Sequence, residues 1–499
     1  MASIVETVSG KIAGERRGGH ERFLGIPYAA PPVGERRWRA PQPAPMWSRV
    51  RPAVEFARSA PQPPSALPGM AVGPQDEDCL YLNVYTPAAD SARRPVLFWI
   101  HGGGFTTGSG SQALYDGGAL AERGDVVVVT INYRLGALGY LHLPGADANV
   151  GQLDQIAALE WTRDNIRAFG GDPERVTIFG ESAGGMAVAT LLGMPAARGL
   201  FRAAIPQSGA AHDVHTRDSA ARVTEAFLKE VGQTSPQLEK LRALPAAKLV
   251  EAAVAVVAAR RRLGQLAFSP VVDTATLPKR PLDAVREGSA RGVALLVGTN
   301  RDESKLFRLG VAESQSLSAE SLEKRVRAAL AARHAHESHA GRVIEAYRSA
   351  RTGRASVEPG ELLDAIDSDR TFRLPAIRLA EAHAPQEPRT YMYLFTWESP
   401  ARRGTLGSCH ALELPFVFGT LGAPTMDRFA GKGPDADALS ARMMDAWIAF
   451  AHTGDPTHAS LPAWPRYDAS KRSTLVFDRT CEVVHAPLDA ERAAWDAIL

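Results

Sequence analysis

The chain has 499 residues, 45% hydrophobic and 22% charged, and its 57 Lys plus Arg nearly balance 55 Asp plus Glu for a net charge of +2. That composition supports a sizeable buried core and excludes a disordered or fibrous chain. With the two signs interspersed and no basic stripe, no nucleic-acid partner is expected.

The first ten residues lack a basic start followed by an apolar stretch, so no export signal is read there. The longest apolar runs, such as Pro95 to Ile100 and Val126 to Ile131, fall far below the ~20 residues that cross a bilayer, and no membrane span is expected. Cys79, Cys409 and Cys481 are sparse, odd in number and without metal-type spacing, which suits a reducing compartment; a cytoplasmic location is expected.

From Ala60 to Pro74 five prolines predict an irregular surface segment. Continuous apolar runs follow at Val96 to Ile100, Val126 to Tyr133 and Val176 to Phe179, which read as strands buried on both faces of a mainly parallel sheet. Between the second and third, Leu153 to Phe169 carries Ile156, Leu159, Ile166 and Phe169 at helical spacing, making a parallel crossover unit. Ala203 to Ile205, Val293 to Val297 and Tyr391 to Phe395 are further strand candidates. One α/β domain over residues 1–499 is therefore expected, with helical insertions at about 212–265 and 310–385 over the strand ends, where open α/β sheets place ligands.

Gly180-Glu181-Ser182-Ala183-Gly184 lies between the run ending at Phe179 and a helical stretch. This is the strand, sharp turn and helix of a nucleophile elbow, which exposes the serine hydroxyl, so an α/β-hydrolase fold is expected. Upstream, His101-Gly102-Gly103-Gly104-Phe105 follows a strand where esterases place backbone oxyanion donors. Gly103, Gly104 and Ala183 are the expected donors, and His101 is read as a buttress of the loop.

In this fold the acid and then the histidine follow the serine. His334, His336 and His339 sit in a polar helical stretch, His383 and His452 end helices, and His485 is near the terminus. His410 sits on a loop beside the apolar segment Leu412 to Phe416, which suits a base poised near neutral pH. Neighbouring Cys409 is read as a packed thiol. Past the strand Val293 to Val297, Asp302 and Glu303 both qualify as the acid, Asp273 is a weaker rival, and spacing does not separate the adjacent pair.

Taken together, these motifs resemble the type-B carboxylesterase family, and in particular its bacterial para-nitrobenzyl-esterase-like members. The resemblance also rests on Phe23 to Ala29, Glu77 to Asn83, Asn132-Tyr133-Arg134 and His410 to Phe418. It implies a Ser182, His410 and Glu303 triad, choosing Glu303 over Asp302. Two departures stand out. Ala60-Pro61-Gln62 replaces the Cys-Pro-Gln whose cysteine pairs with the Cys79 position in secreted members. No aromatic lies between Ala60 and Asp76, where cholinesterases hold quaternary ammonium, so a choline ester is not the expected substrate.

The implied activity is hydrolysis of small carboxylic esters through an acyl-enzyme, with no metal or organic cofactor. The alternatives are an acyltransferase, amidase, thioesterase or carbamate hydrolase on the same triad, and last a non-catalytic binding protein. Phe105, Phe268, Trp397 and Phe416 are the expected pocket walls, while the natural ester and the oligomeric state stay open.

Overall fold

The protein is described from a computed structural model covering residues 3–65, 71–261, 266–272, 275–308, 317–332, 335–496 and 498. Asp273 and His334 lie outside the described residues. The strands, in chain order, are β1 (Ile4–Thr7), β2 (Gly10–Ala13), β3 (Glu15–Arg17), β4 (His20–Pro27), β5 (Arg51–Pro52), β6 (Tyr81–Thr86) and β7 (Arg94–Ile100). They continue with β8 (Val127–Ile131), β9 (Gly171–Glu181), β10 (Ala203–Gln207), β11 (Ala294–Asn300), β12 (Thr390–Phe395), β13 (Ser473–Phe477) and β14 (Glu482–His485).

Strands β1, β2 and β5 form a small separate sheet, and the other eleven form one sheet in the order β14-β13-β12-β11-β10-β9-β7-β8-β6-β4-β3. Its centre, from β8 through β13, is parallel, and antiparallel strands close both edges. The continuous apolar runs have a direct cause here. Along β7, Val96, Phe98 and Ile100 enter one core cluster, whereas Leu97 and Trp99 enter another on the opposite face. The pleat sends alternate side chains both ways, and helices cover both faces. Helix Val150–Asn165 places Ile156 and Leu159 in the first cluster, and helix Pro434–Thr453 places Met443, Trp447 and Phe450 in the second.

The crossover expected between Val126 and Phe179 is present: β8 and β9 flank β7 and run parallel to it. Helices Arg217–Glu230, Leu238–Arg242 and Ala246–Arg261 fall in the first expected insertion. Those of the second, Ala319–Ala331, Ala340–Arg351 and Pro359–Ser368, share a small core of their own around Leu322, Tyr347, Leu362 and Trp495. Among the described residues no helix is long and apolar enough to cross a membrane.

Candidate active site

Strand β9 stops at Glu181, Ser182 adopts φ 58° and ψ −126°, and helix Ala183–Leu191 begins at once. A non-glycine residue in that region is strained, and its neighbours hold it there. The Ser182 amide donates to the Gln207 carbonyl at 3.0 Å, and the Ser182 carbonyl accepts from Met186 at 2.8 Å. The half-buried serine thus stands at the carboxyl edge of the sheet, at a helix amino terminus that favours negative charge.

The glycine loop leaves β7 against this elbow. A Cβ on Gly102 would lie 2.6 Å from the Glu181 carbonyl oxygen and 3.1 Å from Ser182 Cβ. Gly103 has φ 111° and Gly104 φ 62°. The Gly103 carbonyl accepts the backbone N–H groups of Thr106 and Thr107 and both their hydroxyls, the latter at 3.2 and 3.0 Å. Among the described residues, none accepts a hydrogen bond from the amides of Gly103, Gly104 or Ala183. Unspent amides beside a strained serine can hold an oxyanion. His101 packs beneath the loop, its ring stacked on Tyr133 at 4.5 Å, and burial pushes its pKa down to about 4. It is a neutral prop.

Past β11, a short helical turn starting at Glu303 buries that carboxylate completely. Its Oε1 accepts the Asn300 amide at 2.8 Å, and its Oε2 lies 2.5 Å from His410 Nδ1. The adjacent pair that spacing left unresolved is separated by direction. Asp302 turns away to accept the Ser408 amide at 3.0 Å and to pair with Arg301 and Lys305. Burial would raise the Asp302 pKa, but those two cations hold it below the usual carboxylate range. Burial pushes the Cys409 thiol up, so it is a packed thiol rather than a nucleophile.

Two groups escaped the reading of the sequence. Glu181 Oε1 lies 3.0 Å from His410 Nε2, on the side of the ring opposite Glu303. Glu413, fully buried, bonds Gln207 Nε2 at 3.2 Å and Asn300 Nδ2 at 2.7 Å. Burial first, then the charges of Glu181 and Glu303, push Glu413 up to about 8. For His410, burial favours the neutral ring, yet Glu181 and Glu303 outweigh it and hold the imidazole well above its ordinary value. Glu181 itself is raised by burial, against the pull of His410.

The expected aromatic walls are placed differently from one another. Phe105 and Phe268 are buried in the cluster that holds Ala183 and Met186. Trp397 and Phe416 pack on each other at 5.7 Å in the opposite cluster, and Trp397 Nε1 donates to the Ala430 carbonyl. The rings against His410 are instead Phe307 at 4.9 Å and Phe372 at 4.8 Å. Phe307 was within reach of the sequence only by proximity, because it follows Glu303 in the same short 3₁₀ stretch. Phe372 was not, since it sits in a π-helical stretch, Asp369–Arg373, that no periodicity announces.

Among the described residues no group of acidic, histidine or cysteine side chains is arranged to hold a metal ion. The mostly parallel sheet with a strand–serine–helix elbow on its central strand is an α/β-hydrolase fold. The chain belongs to the carboxylesterase family, whose family model matches residues 1–495. Para-nitrobenzyl esterase of Bacillus subtilis is 41% identical over 98% of this chain and 97% of its own, and phenmedipham hydrolase of Pseudarthrobacter oxydans is 38% identical over 95% and 94%. Among solved structures, a thermophilic PNB esterase matches with a TM-score of 0.88 at 39% identity, covering 99% of this chain and all of that one. A carboxylesterase of Geobacillus stearothermophilus matches with the same TM-score at 41% identity and the same coverage. The protein is a serine carboxylesterase that hydrolyses carboxylic esters.

Proposed function

We propose that Ser182 is the nucleophile, His410 its base, Glu303 the acid that orients the imidazole, and Gly103, Gly104 and Ala183 the oxyanion donors. The observation that carries this is the 2.5 Å contact of His410 Nδ1 with the buried Glu303 carboxylate, at an elbow abutted by three unspent amides. His410 Nε2 takes the hydroxyl proton as Ser182 Oγ attacks the ester carbonyl, and the donors hold the resulting oxyanion. Collapse breaks the C–O bond, and the proton returns from His410 to the departing alcohol. Water then attacks the acyl-enzyme by the same route, releasing the acid and restoring Ser182.

In this reading the whole chain is one catalytic domain carrying two helical insertions, acting on small-molecule esters. Cys79, Cys409 and Cys481 are unpaired thiols, which favours a reducing, cytoplasmic setting. Replacing Ser182 by Ala is expected to lower kcat for a para-nitrophenyl ester by on the order of 10³ or more. Near-normal turnover in that variant contradicts the assignment.

A further inference from the structure

The oxyanion loop is pinned from outside by one side chain. Gln62 is buried, and its Oε1 accepts the Gly108 amide at 2.8 Å while its Nε2 donates to the Gly108 carbonyl at 2.9 Å. The same Nε2 donates to the Ala60 carbonyl at 3.0 Å. Among the described residues no backbone group meets the Gly108 amide or carbonyl, so a primary amide does there what a neighbouring strand would do.

Gly108 is where the loop closes on itself. A Cβ built on it would lie 2.4 Å from His101 Nδ1 and 2.5 Å from the Gly102 carbonyl oxygen, and one built on Gly103 would lie 2.2 Å from the Thr107 carbonyl oxygen. The backbone of Thr107 and Gly108 is therefore the surface on which Gly102 and Gly103 rest. Close packing leaves no slack, so a shift of Gly108 is passed to the Gly103 amide. Gln62 is itself held, because its own amide donates to Gln75 Oε1 at 2.9 Å. Three residues earlier, the Ser59 amide donates to the Pro74 carbonyl and its carbonyl accepts from Asp76, both at 2.9 Å. Ser59 Oγ also donates to Ser109 Oγ at 2.8 Å, so residues 59 and 62 hold two consecutive residues of the loop's return.

We propose that Gln62 is a positioning residue for ester hydrolysis, its amide setting where the Gly103 and Gly104 N–H groups point when the oxyanion forms. This role rests on the reading of those amides as oxyanion donors. Gln62→Met keeps the size of the side chain and removes its hydrogen bonds to Gly108. A misplacement of about 1 Å costs on the order of 10²-fold in rate, so the variant is expected to lose about tenfold to a hundredfold in kcat. KM should stay within about twofold, because the donors act on the transition state rather than the bound ester.

The test pairs kcat and KM for a para-nitrophenyl ester with the inhibition constant of an alkyl trifluoromethyl ketone. Ser182 Oγ bonds to the ketone's carbonyl carbon, its proton passes to His410, and the carbonyl oxygen takes the negative charge that the donors meet. In Gln62→Met the ketone is expected to weaken by the same factor as kcat. Gln62→Glu gives a readout that packing alone does not move, since it adds a titration of its own. The protonated acid has a proton for the Gly108 carbonyl and the carboxylate has none, while burial beside two carbonyl oxygens favours the protonated form. Its kcat relative to wild type is expected to fall roughly tenfold between about pH 6 and pH 9, the worth of one hydrogen bond. Should Gln62→Met not fold, this ratio decides alone. Unchanged kcat and ketone affinity in folded Gln62→Met, or a ratio flat with pH in folded Gln62→Glu, overturns the role. So does a loss of kcat matched by the loss of folded protein in thermal unfolding. Failure of the donor reading looks different: Gly103→Ala would then leave both kcat and ketone binding unchanged.

Discussion

The oxyanion loop and the histidine loop converge on one elbow and are fixed by opposite means. From His101 to Gly108 the restraints are neutral: a ring stacked on Tyr133, hydroxyls on the Gly103 carbonyl and Gln62 on Gly108. Around His410 the restraints are ionisable groups drawn from distant parts of the chain. Asp302 holds the Ser408 amide, Glu303 and Glu181 flank the ring, and Glu413 lies buried behind. The first arrangement supplies fixed dipoles that cost no reorganisation when charge develops, and the second supplies a proton acceptor whose affinity depends on its neighbours. Changes in the first loop should therefore alter rate without moving the pH profile, and changes to the carboxylates flanking the His410 ring should move the profile.

The largest effect is expected at Gly103. A Cβ there would overlap the Thr107 carbonyl, so Gly103→Ala must displace the loop and its amide. Loss of one donor predicts a fall in kcat of roughly 10² to 10³, with the acid limb of the pH profile unmoved. Gly104 provides the control: it has φ 62°, but a Cβ there would meet nothing closer than Thr106 Oγ1 at 3.8 Å, so Gly104→Ala carries only the left-handed penalty of about 1–2 kcal/mol and should be the milder variant.

Next comes Glu181→Gln. His410 must be neutral to accept the serine proton, and its pKa is held up by two carboxylates, so activity falls as pH drops through that raised value. Removing the Glu181 charge lowers the pKa and should shift the acid limb of kcat/KM toward lower pH; an unmoved or upward-shifted limb contradicts the electrostatic account. The smallest effect is expected from Asp302→Asn. It weakens the tether on Ser408 and the pairs with Arg301 and Lys305, for a loss of about 1–3 kcal/mol in unfolding free energy with the triad chemistry intact. Denaturant titration and kcat on the same preparation separate the two.

The same contrast marks what could be read before the structure. Contiguous motifs carried their own geometry: Gly102 to Gly104 follows a strand, Gly180 to Gly184 spans the end of one and the start of a helix, and the parallel strands β7 to β12 betrayed themselves by runs apolar on both faces. The antiparallel edge strands β3 and β14 escaped notice because they are short and carry exposed charges such as Arg16, Arg17 and Glu482. At the site, direction was the missing quantity. Asp302 and Glu303 are neighbours in sequence, and only the turn after β11 sends one to Ser408 and the other to His410. Glu181 sat inside the most legible motif of all, yet nothing local told that it faces a residue 229 positions later at 3.0 Å. Likewise Trp397 and Phe416 satisfied an aromatic-wall pattern, but the sheet separates their cluster from the one beside Ser182.

The most direct test is stoichiometric labelling with a dialkyl para-nitrophenyl phosphate, followed by mass spectrometry of the digested protein. One phosphoryl group per chain on the peptide containing Ser182, absent in Ser182→Ala and strongly slowed in His410→Ala, is the predicted result. No adduct, or an adduct that survives Ser182→Ala, contradicts the assignment of Ser182 as the nucleophile.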